Sequence, residues 1–444
     1  MSKVPRQASS GPMRSIPTRK RCSRLFPIRR AASRPPPSLA ICRARTIRLP
    51  VVVSIRAVRS QPISAGPKTR RFASSAPATP LPVTTLSNKE KKMVDYRYLG
   101  RSALKVSPLS LGTMMFGGPT PDDVAFRIID KAREQGINFI DTADVYHDGK
   151  SEEVVGKGIK AHRDHWVLAT KFVNSHKKGP NLGGHSRKWV IETVENSLRR
   201  LNTDYIDILY FHRAVFDAPL EEPVRAIADL IRAGKLRYFG VSNFRGWRIA
   251  EIAHLADELG IDRPVASQPL YNIVNRTAEA EQLPAAHHYG LGVVSYSPLA
   301  RGVLTGKYEP GKEPAADTRA GRGDKRILET EWRPESIAIA TEIAAHAARK
   351  GISPTEFALA WVLNNKLISA AITGPRTQEH WDSYIRALDV KLDAEDEALV
   401  DRLVTTGHPS TPGFNDPSHP VEGRVPRSTA SGIYNGVPLT RAVA

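Results

Sequence analysis

Four polar side chains stand where apolar runs end. Asp141 closes one run, and Tyr146 follows five residues later in Asp141-Thr142-Ala143-Asp144-Val145-Tyr146. Lys171 ends Ala169-Thr170-Lys171, and His212 ends Tyr210-Phe211-His212. A charge at the end of an apolar run is expensive unless it is paired. As a set the four make chemical sense. A phenol ionises near pH ~10 and is a poor acid at neutrality. A lysine ammonium beside it favours phenolate, so a lowered Tyr146 pKa is expected. An aspartate keeps that lysine charged and oriented. A histidine at the rim orients a carbonyl oxygen, which Tyr146 protonates as hydride arrives.

The elements that must position these residues follow from the pattern. Short apolar runs at 109–113, 138–142, 166–171, 205–211, 238–242, 265–268, 292–297 and 369–373 read as eight strands. Helix-period segments at 121–135, 151–160, 187–201, 220–233, 247–259 and 335–350 lie between them. Alternation of this kind predicts an α/β fold, a parallel (β/α)8 TIM barrel whose strand ends converge on one mouth. The segment 96–106 is expected to form a hairpin closing the barrel bottom, and 301–332 an extra loop. A doubly wound dinucleotide-binding sheet needs a glycine fingerprint directly after a strand. Gly156-Lys157-Gly158-Ile159-Lys160-Ala161 follows helical residues instead, which counts against that reading.

Charge divides the 444-residue chain. Of 65 Lys and Arg, 19 fall in 1–89, which contains no Asp or Glu; the remainder carries 46 basic against 45 acidic residues. The net +20 therefore belongs to the N-terminal arm, and the globular part is not expected to bind nucleic acid. Residues 1–92, rich in Arg, Ser, Pro and Ala, have the composition of a transit peptide, with Arg70-Arg71-Phe72-Ala73-Ser74-Ser75 resembling a mitochondrial processing site. A basic tail and a start at Met93, which would leave a cytoplasmic protein, remain open. Both cysteines, Cys22 and Cys42, lie in this arm, so cysteine chemistry is excluded from 93 onward. No metal site is expected. No apolar run reaches the ~18 residues of a membrane helix. The expected organisation is a basic extension over 1–92, a barrel over 93–406, and an irregular tail or lid over 407–444.

The motifs in combination resemble the aldo-keto reductase superfamily, over about 96–403. They are Ser110-Leu111-Gly112-Thr113, Asp141 to Tyr146 with Ser151-Glu152-Glu153, Ala169-Thr170-Lys171, and Gly240-Val241-Ser242-Asn243-Phe244. Tyr296-Ser297-Pro298-Leu299 with Gly302 to Lys307 is similar to the branch of bacterial general reductases and potassium-channel β subunits. The resemblance implies that Asp141, Tyr146, Lys171 and His212 form the catalytic tetrad. It implies a bound NADP(H), with NAD(H) second. Ser242, Asn243 and Gln268 match the groups holding the nicotinamide carboxamide, and Tyr296 the aromatic stacked on the ring. Thr113 and Met114 match strand-one residues at the nicotinamide end. Ser297, Leu299, Arg301, Gly302 and Lys307 match the loop along the pyrophosphate. Gly374, Arg376 and His380 match the 2′-phosphate site, where a forked guanidinium and a helix N-terminus suit an anion. Here the sequence departs from the family: His380, Ser383 and Tyr384 replace the usual Gln, Glu and Asn.

Other residues read more plainly. Trp332, Trp361 and Trp381 are expected to pack on helix faces, His287-His288 to lie at the surface, and Glu152-Glu153 to cap a helix. The expected function is reduction of a small-molecule carbonyl substrate. The rival is a nicotinamide-sensing regulatory subunit, and the oligomeric state is left open.

Overall fold

The computed structural model describes residues 94–175, 179–216, 218–419, 433–434 and 437–438. The extension over 1–92 and its processing motif lie outside the described residues. The hairpin β1 (Arg97–Tyr98) and β2 (Lys105–Val106) pairs antiparallel. Eight parallel strands then close a barrel: β3 (Leu109–Gly112), β4 (Phe139–Asp141), β5 (Val167–Phe172), β6 (Ile206–Phe211), β7 (Leu236–Ser242), β8 (Ala266–Gln268), β9 (Gly292–Ser295) and β10 (Ile368–Thr373), with β10 against β3. The expected (β/α)8 barrel is the fold.

Helices alternate with the strands: α1 (Asp122–Glu134), α2 (Lys150–Ile159), α3 (Arg187–Leu201), α4 (Glu221–Arg232), α5 (Gly246–Leu259), α6 (Gln282–Tyr289), α7 (Lys325–Glu329), α8 (Pro334–Arg349), α9 (Pro354–Asn364), α10 (Gln378–Arg386) and α11 (Ala394–Leu403). Their ends follow local chemistry. Asp122 and Asp123 occupy the first turn of α1, where negative charge suits the macrodipole. Ser353 and Glu356 form a capping box at α9. Gly260 ends α5 at φ 64°, a conformation that penalises a side chain elsewhere.

Strand phase decides what the barrel interior contains. Side chains alternate faces, so residues two apart point the same way. Phe139, Val167, Ala169, Ile208, Tyr210, Ala266, Val294 and Ala370 pack inside, and the hairpin adds Leu99 and Val106 from below. Gly100 lies so close to Gly290 and Gly292 that a Cβ there would meet their backbone at 2.3 and 2.4 Å, which shows how tightly the hairpin seats on the bottom. Leu168, Phe172, Leu209 and Phe211 face outward into the larger core beneath the helices.

Several expectations need correction in detail. The seventh strand stops at Ser295, and Ser297 turns out of it at φ 54°. The segment 301–332 contains the short helix α7. Within 407–444 the stretch 407–419 has no helix or strand, but Ile433–Tyr434 and Val437–Pro438 pair antiparallel. Gly156 lies within α2, where a Cβ would come 2.5 Å from the Leu201 carbonyl oxygen; it is a helix-packing glycine. Trp361 and Trp381 are buried, and Trp332 meets the Tyr308 ring edge-on at 4.8 Å.

Candidate active site

Three inward-facing columns of the barrel change from apolar to polar at their tops. Asp141 follows Phe139 in phase, Lys171 follows Val167 and Ala169, and His212 follows Ile208 and Tyr210. The strand register brings them level: Asp141 pairs with Ala169, and Lys171 with Tyr210. The His212 amide continues the ladder by donating to the Phe172 carbonyl at 3.0 Å.

Lys171 is the centre of the arrangement and is 1% exposed. Its Nζ donates to Asp141 Oδ1 at 2.5 Å, to the Thr142 carbonyl at 2.7 Å and to the Tyr146 hydroxyl at 3.3 Å. Asp141 Oδ2 accepts from Gln268 Nε2 at 3.0 Å. His212 meets the Tyr146 ring edge-on, with centroids 6.0 Å apart. The structure thus brings Asp141, Tyr146, Lys171 and His212 together.

The electrostatics differ from expectation at Tyr146. Its pKa is raised by burial, although the Lys171 charge pulls it down; Asp141 pushes it further up. The expected effect of Lys171 is present but outweighed. Burial also raises Asp141 against the pull of Lys171. Lys171 itself resists burial because Asp141 and Tyr146 hold its ammonium, so its pKa rises. His212 is held neutral, well below the usual imidazole value, by burial and by the charges of Lys171, His419 and Arg213.

A cleft of about 1000 Å³ opens above these residues. At its inner end, polar side chains interlock. Ser242 Oγ donates to the Gln268 carbonyl at 2.8 Å, and Asn243 Nδ2 to the His212 carbonyl at 2.9 Å. Tyr296 OH donates to Asn243 Oδ1 at 2.8 Å. Asn243 holds φ at 57°, which turns its side chain back over the β7 end. Thr113 lines this end, with its hydroxyl donating to the Asp141 carbonyl at 3.0 Å. Met114 lines it too, and its carbonyl meets His147 Nε2 at 2.9 Å.

The outer end is cationic. Lys307, Arg319, Arg322, Gly374, Arg376 and His380 line it, with Ser297, Leu299, Arg301 and Gly302 along the side. Arg301 is paired with Glu331 at 2.9 Å. Lys307, Arg322 and Arg376 form no ion pair among the described residues; Arg322 and Arg376 donate only to the Asp317 carbonyl. Desolvation and the charges of Arg376 and Arg322 draw the Lys307 pKa down. Asp317 and Glu379 also line this end, but neither pairs with Lys307, Arg322 or Arg376, and clustered cations of this kind suit phosphate. His380 is drawn toward neutral by burial, Lys307 and Arg376, and its Nδ1 accepts from the Arg376 amide at 3.4 Å. Ser383 and Tyr384 also line the cleft. Burial pushes the Tyr384 hydroxyl up to about 12.

A model of the aldo/keto reductase family matches residues 108–405. The chain belongs to that family. Among its relatives, an uncharacterized oxidoreductase, YrpG, of Bacillus subtilis is 38% identical over 314 residues, 68% of this chain and 93% of the relative. A probable voltage-gated potassium channel subunit beta of Oryza sativa subsp. japonica is 36% identical over 302 residues, 67% of this chain and 92% of the relative. A putative subunit of that kind from Schizosaccharomyces pombe is 36% identical over 325 residues, 71% and 94% of the two chains.

Membership makes this aldo/keto reductase an oxidoreductase of small molecules with a nicotinamide cofactor. The residues present fit such a group: Ser242, Asn243 and Gln268, whose side chains donate and accept hydrogen bonds, stand at one end of the cleft, and Lys307, Arg322 and Arg376 at the other. Among the described residues no helix is long and apolar enough to cross a membrane.

A second expectation at the site is corrected. Glu152 neither caps its helix nor reaches the cleft. It is fully buried, accepting from Thr170 at 2.5 Å and pairing with Arg200 at 2.7 Å. Sequence reading did not single out Asn174, Arg213, Arg319, Arg322, Arg326, Ser418 and His419, which line the cleft, although it expected an extra loop over 301–332 and a tail or lid over 407–444. Arg319, Arg322 and Arg326 had a signal, arginines three to four apart. Ser418 and His419 lie in the segment expected as a tail or lid, with no motif of their own to mark them.

Proposed function

We propose that this chain is an NADPH-dependent reductase converting aldehydes and ketones to alcohols, with Tyr146 as the proton donor. The observation that carries this reading is the single contact set of Lys171, whose Nζ holds both the Asp141 carboxylate and the Tyr146 hydroxyl beneath the cleft. When bound, the nicotinamide supplies and takes back the hydride. The chain supplies the rest. Burial keeps the phenolic proton on Tyr146 in the resting site. A carbonyl oxygen seated against Tyr146 and His212 gains negative charge as it is reduced and takes that proton. Phenolate is then left facing the Lys171 ammonium, which Asp141 keeps in place. Neutral His212 donates a hydrogen bond without competing as an acid. Ser242, Asn243 and Gln268 hold the carboxamide, and Tyr296 supports the ring. Lys307 and Arg376 support the preference for a 2′-phosphate.

The channel-subunit relatives support a second reading, in which the same site binds nicotinamide tightly and turns over slowly as a sensor. The deciding experiment follows NADPH and NADH absorbance with an aromatic aldehyde, using the purified full chain and Tyr146→Phe. Loss of NADPH under multiple turnover in the wild type, slowed about 10²–10⁴-fold in the variant, is the expected result. Tight binding with a single turnover favours the sensor. No binding overturns both readings.

A further inference from the structure

A second group of cations stands at the inner end of the cleft. Arg213 directly follows His212. Its Nε donates to Asn174 Oδ1 at 2.9 Å, and one Nη donates to the Ala214 carbonyl at 3.4 Å. Both partners are neutral, and among the described residues no carboxylate pairs with it. Asn174 lies just beyond β5 and Arg213 just beyond β6, so their contact fixes the guanidinium across two strand ends at the cleft wall.

The facing wall is the segment 416–419. Arg326 grips both oxygens of Asp416, at 2.7 and 3.1 Å, and donates to Ser418 Oγ at 2.9 Å. Arg245 donates to the His419 carbonyl at 3.1 Å. Ser418 and His419 are thereby held along the cleft. Arg326 thus engages two carboxylates, Asp416 and, at 3.3 Å, Glu329, and neither is paired with Arg213. Burial disfavours a charged His419, Asp416 opposes this, and the charges of Arg326, Arg245 and Arg213 add to it; Arg213 also acts against a charged His212. This cluster is separate from the outer one: the cations that act on Lys307 are Arg376, Arg322 and Arg319. An arginine without a carboxylate partner directly beside His212, where the carbonyl sits, is more than one dinucleotide explains.

We propose that the substrate is an anionic carbonyl compound, bearing a carboxylate a few atoms from its aldehyde or ketone, and that Arg213 recognises that carboxylate. The inference rests on the reductase reading and names its substrate class. Arg213 presents a forked donor set suited to a carboxylate. Its exposure means that water and salt screen the contact, so an effect of about tenfold is expected.

The test uses the full chain with NADPH and two probes, para-carboxybenzaldehyde and its methyl ester, which share a reacting group and differ in charge. The readout is the ratio of kcat/KM for acid over ester, so that a general loss of activity cancels. The wild type is expected to favour the acid about tenfold at low salt, with the ratio shrinking as salt rises. Arg213→Gln brings the ratio near one, and Arg213→Lys restores part of it. An ester used as well as the acid by the wild type, or a ratio unchanged in Arg213→Gln, overturns the inference and leaves the reductase reading standing. If neither probe is consumed, the reductase reading fails and takes this one with it.

Discussion

Replacing Lys171 by methionine removes one buried ammonium and strands three acceptors. The side chains of Lys171 and Asp141 are 1% and 3% exposed, so the Asp141 carboxylate cannot turn to water. It keeps only the hydrogen bond from Gln268. Breaking a buried pair by removing one partner costs about 3–5 kcal/mol. The pH dependence has a definite sign. Burial already raises the Asp141 pKa above its usual value, and without Lys171 nothing charged opposes that rise. A carboxyl whose folded pKa exceeds its unfolded one stabilises the fold while protonated and loses that contribution as pH climbs through the folded value. The deficit of Lys171→Met is therefore largest at alkaline pH and narrows on acidification. One proton limits the recovery to about 1.4 kcal/mol per pH unit, over the range between the unfolded carboxylate value and the raised folded one.

The double variant Asp141→Asn, Lys171→Met removes both charges together. A neutral pair of similar shape escapes most of the desolvation penalty, so it should be more stable than Lys171→Met by about 2 kcal/mol at neutral pH. Urea unfolding followed by far-UV circular dichroism measures all three quantities. A Lys171→Met deficit below about 1 kcal/mol, a deficit independent of pH, or a double variant equal to the sum of the singles would refute the account of Lys171 as the counter-charge of a buried carboxylate.

Two further outcomes are expected. The His212 imidazole should show flat NMR ring shifts between about pH 6 and 8, because burial and the charges of Lys171, His419 and Arg213 keep it neutral. Its lowered folded pKa means that stability is lost as pH falls below the ordinary imidazole value; a midpoint at that ordinary value contradicts the electrostatics. Gly156→Ala drives a Cβ to 2.5 Å from the Leu201 carbonyl oxygen and should lower stability by about 1–3 kcal/mol while NADPH affinity is unchanged. Weakened NADPH binding by a still-folded variant would return Gly156 to the cofactor site.

Much of this site was legible because a β-strand writes its geometry at period two. Phe139 and Asp141, Ala169 and Lys171, and Tyr210 and His212 are adjacent inward positions, and the last of each pair is the polar one. The helix stops and the first-turn carboxylates of α1 are equally local. Segment 416–419 was legible only as part of a tail or lid, because its contacts are non-local: Asp416, in irregular chain, meets Arg326 of α7 across 90 positions. Glu152 was misjudged for a similar reason. A carboxylate in a first helical turn suits a cap, and only tertiary packing brings Thr170 and Arg200 to it.

The Tyr146 reversal has a mechanistic consequence. A phenol that Lys171 merely made more acidic would lose its proton to water before a substrate arrived. Here burial opposes that loss, and Asp141 adds to it, so the proton stays on Tyr146 in the resting protein. Lys171 still counts, because its attraction is greatest for the phenolate that forms when the proton leaves. Its contribution therefore falls mainly on the transition state, which is the interaction that raises turnover rather than ground-state binding. On this argument Asp141 holds Lys171 where that attraction acts, and removing Lys171 should depress kcat more than it raises KM.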